Sequence, residues 1–152
     1  MELQTAAAIG KGMVAGLVGT AAMTVSERVE MAVTGREASD VPGQVGAKLL
    51  GLQPATDAEM DRLSTQVHWI HGILGGALRG VLDRAGATGP AASVAHFAAL
   101  WGGDAGLYAA LGIAPAPWDW DQDELAADVL HKGVYAAVTG VVYDALASGT
   151  SR

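Results

Sequence analysis

Two stretches of the chain carry residue types that could do chemistry. From 128 to 144, in DVLHKGVYAAVTGVVYD, ionisable and hydroxyl side chains recur every three or four positions. On a helix these positions share one face. The stretch from 67 to 83 repeats this plan, with His68 and His71 on one side. Because imidazole titrates near neutral pH, such a face could pass protons, bind an ion or hold a ligand.

A candidate polar cluster follows from placing these groups by depth along four predicted helices. An unpaired charge buried in lipid costs several kcal/mol, so such groups face the interior and pair. We expect Lys132 to pair with Glu27 or Asp104. We expect Asp128 to pair with Arg28 or His71 and to couple to His131, one turn away on the same face. The cluster consists of Glu27, His68, His71, Asp104, Asp128, His131, Lys132 and Tyr135.

Three functions fit this cluster, and the sequence leaves them open. The first is an integral membrane binding or accessory protein in which the cluster packs the bundle and contacts an unknown ligand. The second is a small transporter or a proton or ion pathway. The third is a soluble helical bundle that binds a cofactor or metal. Asp128-x-x-His131 is similar to the Glu-x-x-His pair of di-iron bundles, but those need two such motifs and this chain has one.

The sequence contains no motif that assigns a reaction. It lacks a nucleophile elbow, a phosphate-binding loop, a zincin helix and any cysteine. We therefore assign no catalytic residue, no metal ligand and no cofactor. His96 is interpreted as a packed helix residue, and Tyr135 and Tyr143 as packing residues with hydrated hydroxyl groups.

The composition favours a membrane protein and excludes nucleic acid as a partner. Apolar residues make up 51% of the chain and charged residues 16%, against about 25% charged in average soluble domains. The net charge of −7 offers no positive surface for a phosphate backbone. The chain has 21 glycines, and small residues recur at four-residue spacing, as at Gly72, Gly76 and Gly80 or at Gly102 and Gly106. In lipid, such spacing lets helices approach closely.

The predicted fold is all-α: a four-helix up-down transmembrane bundle in one domain, 1–152, with a short amphipathic helix in the first connection. Gly35 is a plausible stop for the first helix, and Thr56-x-x-Glu59 forms a capping box for the second. The helices are expected at about 6–33, 57–84, 91–113 and 124–146. The inward stripe of the first helix is predicted to be Gly16, Thr20, Met23, Thr24, Glu27 and Met31.

An up-down arrangement places the first and third connections on one side of the bundle. Trp69, Trp118 and Trp120 then lie at one membrane interface, as an aromatic belt requires. The third connection has no basic residue, which favours both termini in the cytoplasm. The expected partners are the lipid bilayer and either further copies of the chain or a larger membrane complex.

Four stretches resemble small bacterial four-helix inner-membrane proteins, broadly similar to the YagU-type family. They are GMVAGLVGTAAMTVSE, GALRGVLDRAG, APAPWDW and DELAADVLHKGVYAAVTGVVYDAL. The resemblance covers most of the chain and is most specific in the last stretch. It implies a helical protein of the bacterial inner membrane, tied to stress or acid tolerance. It brings no catalytic residues.

Overall fold

The computed structural model describes residues 2–149, which form five α-helices and one 3₁₀ turn. The all-helical prediction is confirmed. Four helices are long, and the short helix lies in the first connection. The elements are α1 (Glu2–Thr34), α2 (Val41–Leu50), α3 (Asp57–Arg84), α4 (Gly89–Ala110), the 3₁₀ turn Pro117–Asp119 and α5 (Gln122–Ser148).

The helix ends follow local signals in the sequence. Gly35 follows α1 with a φ of 75°, a left-handed conformation that glycine adopts without a steric penalty. At the start of α3, the Thr56 hydroxyl accepts a hydrogen bond from the Glu59 amide (3.2 Å). The Glu59 carboxylate accepts one from the Ala55 amide (2.7 Å). These reciprocal bonds satisfy amides that have no partner within the helix.

The four long helices alternate in direction. α1 packs against α3 and α5, while α4 packs against α5 and, less extensively, against α3. α1 and α4 are therefore diagonal partners. The Lys48 ammonium of α2 donates a hydrogen bond to the Leu111 carbonyl at the end of α4. This bond brings the first and third connections to the same end of the bundle.

Glycines set the distance between α1 and α3. A Cβ atom on Gly16 would lie 2.6 Å from the Gly72 carbonyl oxygen, and one on Gly76 would lie 2.6 Å from the Gly16 Cα. The two backbones therefore touch at a separation that excludes any side chain. The same spacing on α4 has no such contact, because a Cβ on Gly102 or Gly106 would meet nothing within 4 Å. The expected close approach at that pair of glycines was wrong.

The interior holds small and polar side chains, and the large aliphatic ones point outward. The largest fully buried side chains are Arg79, Tyr143, His96, Thr20 and Thr139. Outward-facing aliphatic side chains occur on all four long helices, and they include Leu17, Val25, Val29, Ile70, Leu74, Val94, Leu130 and Val141. Soluble proteins show the opposite distribution, with aliphatic side chains inside and charged ones outside.

Two helices among residues 2–149 are long and apolar enough to cross a membrane, namely α1 and α5. α3 contains two histidines and Arg79. α4 spans 22 residues composed largely of Ala and Gly. By length and composition α1 and α5 are therefore candidate spans only, and neither α3 nor α4 meets the same criterion.

The α1–α3 contact predicts opposite effects for one substitution at two glycines. Gly76→Ala should lower the free energy of unfolding by about 1–3 kcal/mol, because the new methyl group overlaps the α1 backbone. The matched control Gly10→Ala lies on α1 with nothing within 4 Å of the added Cβ. It should be neutral or stabilise by up to about 1 kcal/mol, through helix propensity. Unfolding in a denaturing detergent measures both, and equal effects would contradict the close contact.

Candidate functional site

Asp104 on α4 lies at the centre of the polar cluster. Its Oδ1 is 3.1 Å from His71 Nε2 on α3, and its Oδ2 is 3.1 Å from Lys132 Nζ on α5. Lys132 Nζ is also 3.0 Å from Asp128 Oδ1, one turn earlier on α5. The Lys132 ammonium lies 5.1 Å from the centre of the Tyr108 ring. Lys132 thus contacts two carboxylates and an aromatic face and links α5 to α4, while Asp104 extends the cluster to α3 through His71.

These contacts follow from helix direction and spacing. Asp128 and Lys132 are four residues apart on α5, so their side chains lie on the same face. α4 runs antiparallel to α5, which places Asp104 opposite that turn. Asp104 is 8% exposed and Lys132 15% exposed. In this partly buried setting, paired charges attract more strongly than they do in water.

A second polar group joins the end of α1 to α5. His131 Nδ1 lies 2.9 Å from the Ser26 hydroxyl oxygen, and its Nε2 lies 3.6 Å from Glu30 Oε2. The Arg36 guanidinium donates to the same Glu30 oxygen through Nη2 (2.7 Å) and Nε (3.0 Å). These hydrogen bonds raise the pKa of Arg36 above its ordinary value. Glu30 therefore anchors both His131 and the connection that leaves α1.

The remaining predicted site residues lie near these two groups. His68 Nε2 is 3.0 Å from the Thr24 hydroxyl. The Tyr135 hydroxyl donates to the Gly72 carbonyl (2.6 Å), and Tyr135 is only 3% exposed. Its hydroxyl is therefore buried and bonded to backbone, which contradicts the expected hydrated hydroxyl. The charge of half-buried Glu27 interacts with those of Asp128 and Lys132.

The structure changes several of the expected pairings. Lys132 pairs with Asp104, one of its two expected partners. Asp128 pairs with Lys132 rather than with Arg28 or His71. His131 contacts Ser26 and Glu30 rather than Asp128. The reason is direction: Lys132 is long enough to reach both carboxylates, while the His131 ring points across to α1.

The predicted cluster does not include Ser26, Glu30 or Tyr108, which the structure places in the site. Glu30 lies near the end of α1, where a carboxylate is ordinarily an exposed surface group. A signal for it was present, because Arg36 follows six residues later and just past Gly35. Tyr108 lies one turn after Asp104, a spacing that places both on one face of α4.

A separate polar group lies in the other half of the bundle. Arg79 on α3 is fully buried, and its Nη2 is 2.5 Å from Asp144 Oδ1 on α5. Its guanidinium carbon lies 4.5 Å from the centre of the Tyr143 ring. His96 on α4 is also fully buried, and its Nε2 lies 2.9 Å from the Gly75 carbonyl oxygen. His96 thus packs within the bundle, as the sequence indicated.

Asp104 is in direct contact with Lys132 and His71, and about half of the His71 side chain is exposed. Two surface clefts, of about 270 and 320 Å³, lie beside Arg62 and Gln66 rather than at the cluster. Within residues 2–149, no three side chains of metal-ligating type converge to hold a metal ion. What this geometry can do directly is hold α3, α4 and α5 in register through charged contacts.

Comparison with family models, curated proteins and solved structures found no match for this chain. The similarity to YagU-type proteins therefore stays a prediction.

The Asp104–Lys132 pair predicts coupled effects on stability. Asp104→Asn should destabilise by about 1–3 kcal/mol, because the Lys132 ammonium keeps Asp128 but loses its more deeply buried carboxylate partner. Lys132→Gln added to Asp104→Asn should cost less than the sum of the single changes, with a coupling of about 0.5–3 kcal/mol. Detergent unfolding of the three variants measures this coupling.

The matched control for this cycle is Asp61→Asn, at an exposed position of α3. It should change stability by no more than about 0.5 kcal/mol. Strict additivity of Asp104→Asn and Lys132→Gln would show that the pair does not hold the helices together.

Proposed function

We propose that this chain is an integral membrane binding or accessory protein, with four long helices in lipid and a polar cluster that fixes their packing. The observation that carries the proposal is the distribution of side chains. Fully buried positions hold Arg79, His96 and Thr139, whereas Leu17, Leu74 and Val141 face outward. In water, so much exposed aliphatic surface would favour aggregation, while in a bilayer it faces hydrocarbon.

The positions of the charges on α1 support a membrane band of about the right height. On α1 the stretch between Lys11 and Glu27 contains no charged residue, and its rise is about 24 Å. On α5 the stretch without charged residues lies between Lys132 and Asp144, and its rise is about 18 Å. Lys11, at one end of the α1 stretch, can extend its ammonium group to the membrane–water interface. The α1 stretch approaches the ~30 Å hydrocarbon core of a bilayer.

The polar cluster has a packing role in this proposal. Lipid removes most of the hydrophobic driving force between helices, so association depends on close van der Waals contact and polar bonds. The glycines supply the close van der Waals contact between α1 and α3. The Asp104–Lys132 and Asp104–His71 pairs supply the polar bonds across α3, α4 and α5. A rigid bundle of this kind suits an accessory protein that presents an outer face to a partner.

We propose the bacterial inner membrane as the location, with both termini in the cytoplasm. The location follows from the resemblance described above. The orientation follows from the connection between α4 and α5, which contains acidic residues and no lysine or arginine. Cytoplasmic connections of membrane proteins are instead enriched in basic residues.

Membrane integration predicts the behaviour of the protein in cell fractions. The chain should remain in the membrane pellet through high salt and alkaline carbonate, and detergent should release it. The control is a peripheral membrane protein, which alkaline carbonate should release into the soluble fraction. Recovery in the soluble fraction without detergent would overturn the proposal and favour the soluble bundle.

A pair of lysine substitutions tests the same point within the fold. Leu17 is an outward residue in the middle of the uncharged stretch of α1, and Leu3 is outward near its start. In lipid, Leu17→Lys should cost about 2.5–3.5 kcal/mol and reduce insertion. Leu3→Lys should be tolerated. Equal tolerance of both would mean that α1 faces water.

A proton or ion pathway is the second candidate, and one observation favours it. The inward face of α5 is polar along its whole length, through Asp128, Lys132, Tyr135, Thr139 and Tyr143. Protein in vesicles should then carry a proton flux, followed with a pH-sensitive dye, that Asp104→Asn abolishes. Rates equal to those of protein-free vesicles would contradict a proton pathway and leave the packing role.

A further inference from the structure

The interior contains an arginine whose hydrogen-bonding capacity is only partly used. Arg79 is fully buried, and Asp144 Oδ1 accepts from its Nη2. Its Nε and Nη1 are buried and have no partner among residues 2–149. Buried polar atoms without a protein partner are rare in folded proteins, and buried water typically bonds to them.

His96 adds a second unsatisfied atom in the same half of the bundle. Its Nε2 faces the Gly75 carbonyl oxygen, which can only accept, so this nitrogen carries the hydrogen. In the neutral ring, Nδ1 then has a free lone pair, and Nδ1 is buried without a partner among the described residues. Gly75 lies one helical turn before Arg79 on α3, so the bond to its carbonyl holds the His96 ring beside the turn that ends at Arg79.

We propose that an internal water site lies between α3 and α4 at the level of α5 where Tyr143 packs on Arg79. Arg79 Nε and Nη1 donate hydrogen bonds to water in this site, and water donates to His96 Nδ1. Water fits because it accepts and donates at once, and a buried water typically makes two to four such bonds. The site lies in the other half of the bundle from Asp104.

The charges around the site favour water over an anion. Asp144 already pairs with Arg79, and Asp83 lies one turn after Arg79 on the same face of α3. Two carboxylates therefore accompany one guanidinium. With neutral His96, an added anion would be a further uncompensated negative charge, which is costly in a buried setting. A halide would also leave the His96 Nδ1 lone pair without a donor.

Nuclear magnetic resonance of the full chain in detergent micelles or nanodiscs tests the site. We expect cross-peaks between long-lived water and both the Arg79 Nε–H and the His96 ring protons. The control is Arg84, exposed at the end of α3, whose Nε–H should exchange quickly with bulk water. Arg79→Lys keeps the charge but removes the Nε–H, and the water cross-peak to the His96 ring should weaken or disappear.

The wild-type measurement decides the question even if Arg79→Lys does not fold. An Arg79 Nε–H that is protected from exchange and shows no water contact would overturn the proposal. A second measurement tests for an anion: gluconate in the buffer is replaced with chloride, and the chemical shift of the Arg79 Nε–H is followed. A saturable chloride-dependent shift of the Arg79 Nε–H would overturn the water assignment and identify an anion site, whereas no shift supports water.

Discussion

The backbone contact between α1 and α3 is the constraint on which the rest of the bundle depends. Gly16, Gly72 and Gly76 bring the two helices so close that no side chain separates them. α1 can therefore meet α5 with its next face, where a Cβ on Gly19 would lie 2.9 Å from the Tyr135 carbonyl oxygen. α3 and α5 become diagonal neighbours across the centre, and their longer side chains meet there.

Close packing of small residues leaves the interior with little apolar volume, and polar side chains fill the space that remains. The Tyr135 hydroxyl and His96 Nε2 each face a backbone carbonyl of α3. The Asp104–Lys132 pair neutralises charge in one half of the bundle, and the Arg79–Asp144 pair does so in the other. Each pair links different helices, so the polar interior resists sliding of one helix along another. This is the behaviour expected where lipid removes the hydrophobic driving force.

α5 connects the two halves of this interior. Its inward face starts at Asp128 and Lys132, passes the buried Tyr135 and Thr139, and ends at Tyr143. The hydrogen bonds from Tyr135 and His96 to backbone carbonyls favour a packing role. A carbonyl oxygen can accept a hydrogen bond, but it cannot pass a proton on to the next group. Conduction along α5 would therefore need water as well as side chains. The unpaired donors Nε and Nη1 of Arg79 and the unpaired acceptor Nδ1 of His96 indicate that this water lies in the Arg79–His96 region.

The sequence alone determined where the helices lie and how they are capped. It also indicated several of the positions that face the interior. Helical periodicity and turn residues are local, so Gly35 and the Thr56–Glu59 box could be read directly, and Gly16, Thr20 and Met23 are buried as the stripe of the first helix predicted. Only the tertiary structure decided the partners. His131 turned to Ser26 and Glu30 because helix rotation and side-chain reach, rather than spacing along the chain, set which groups touch. Gly102 and Gly76 share the same motif, yet only Gly76 meets a neighbouring backbone, because the position of each helix in the bundle decides which small-residue face is covered.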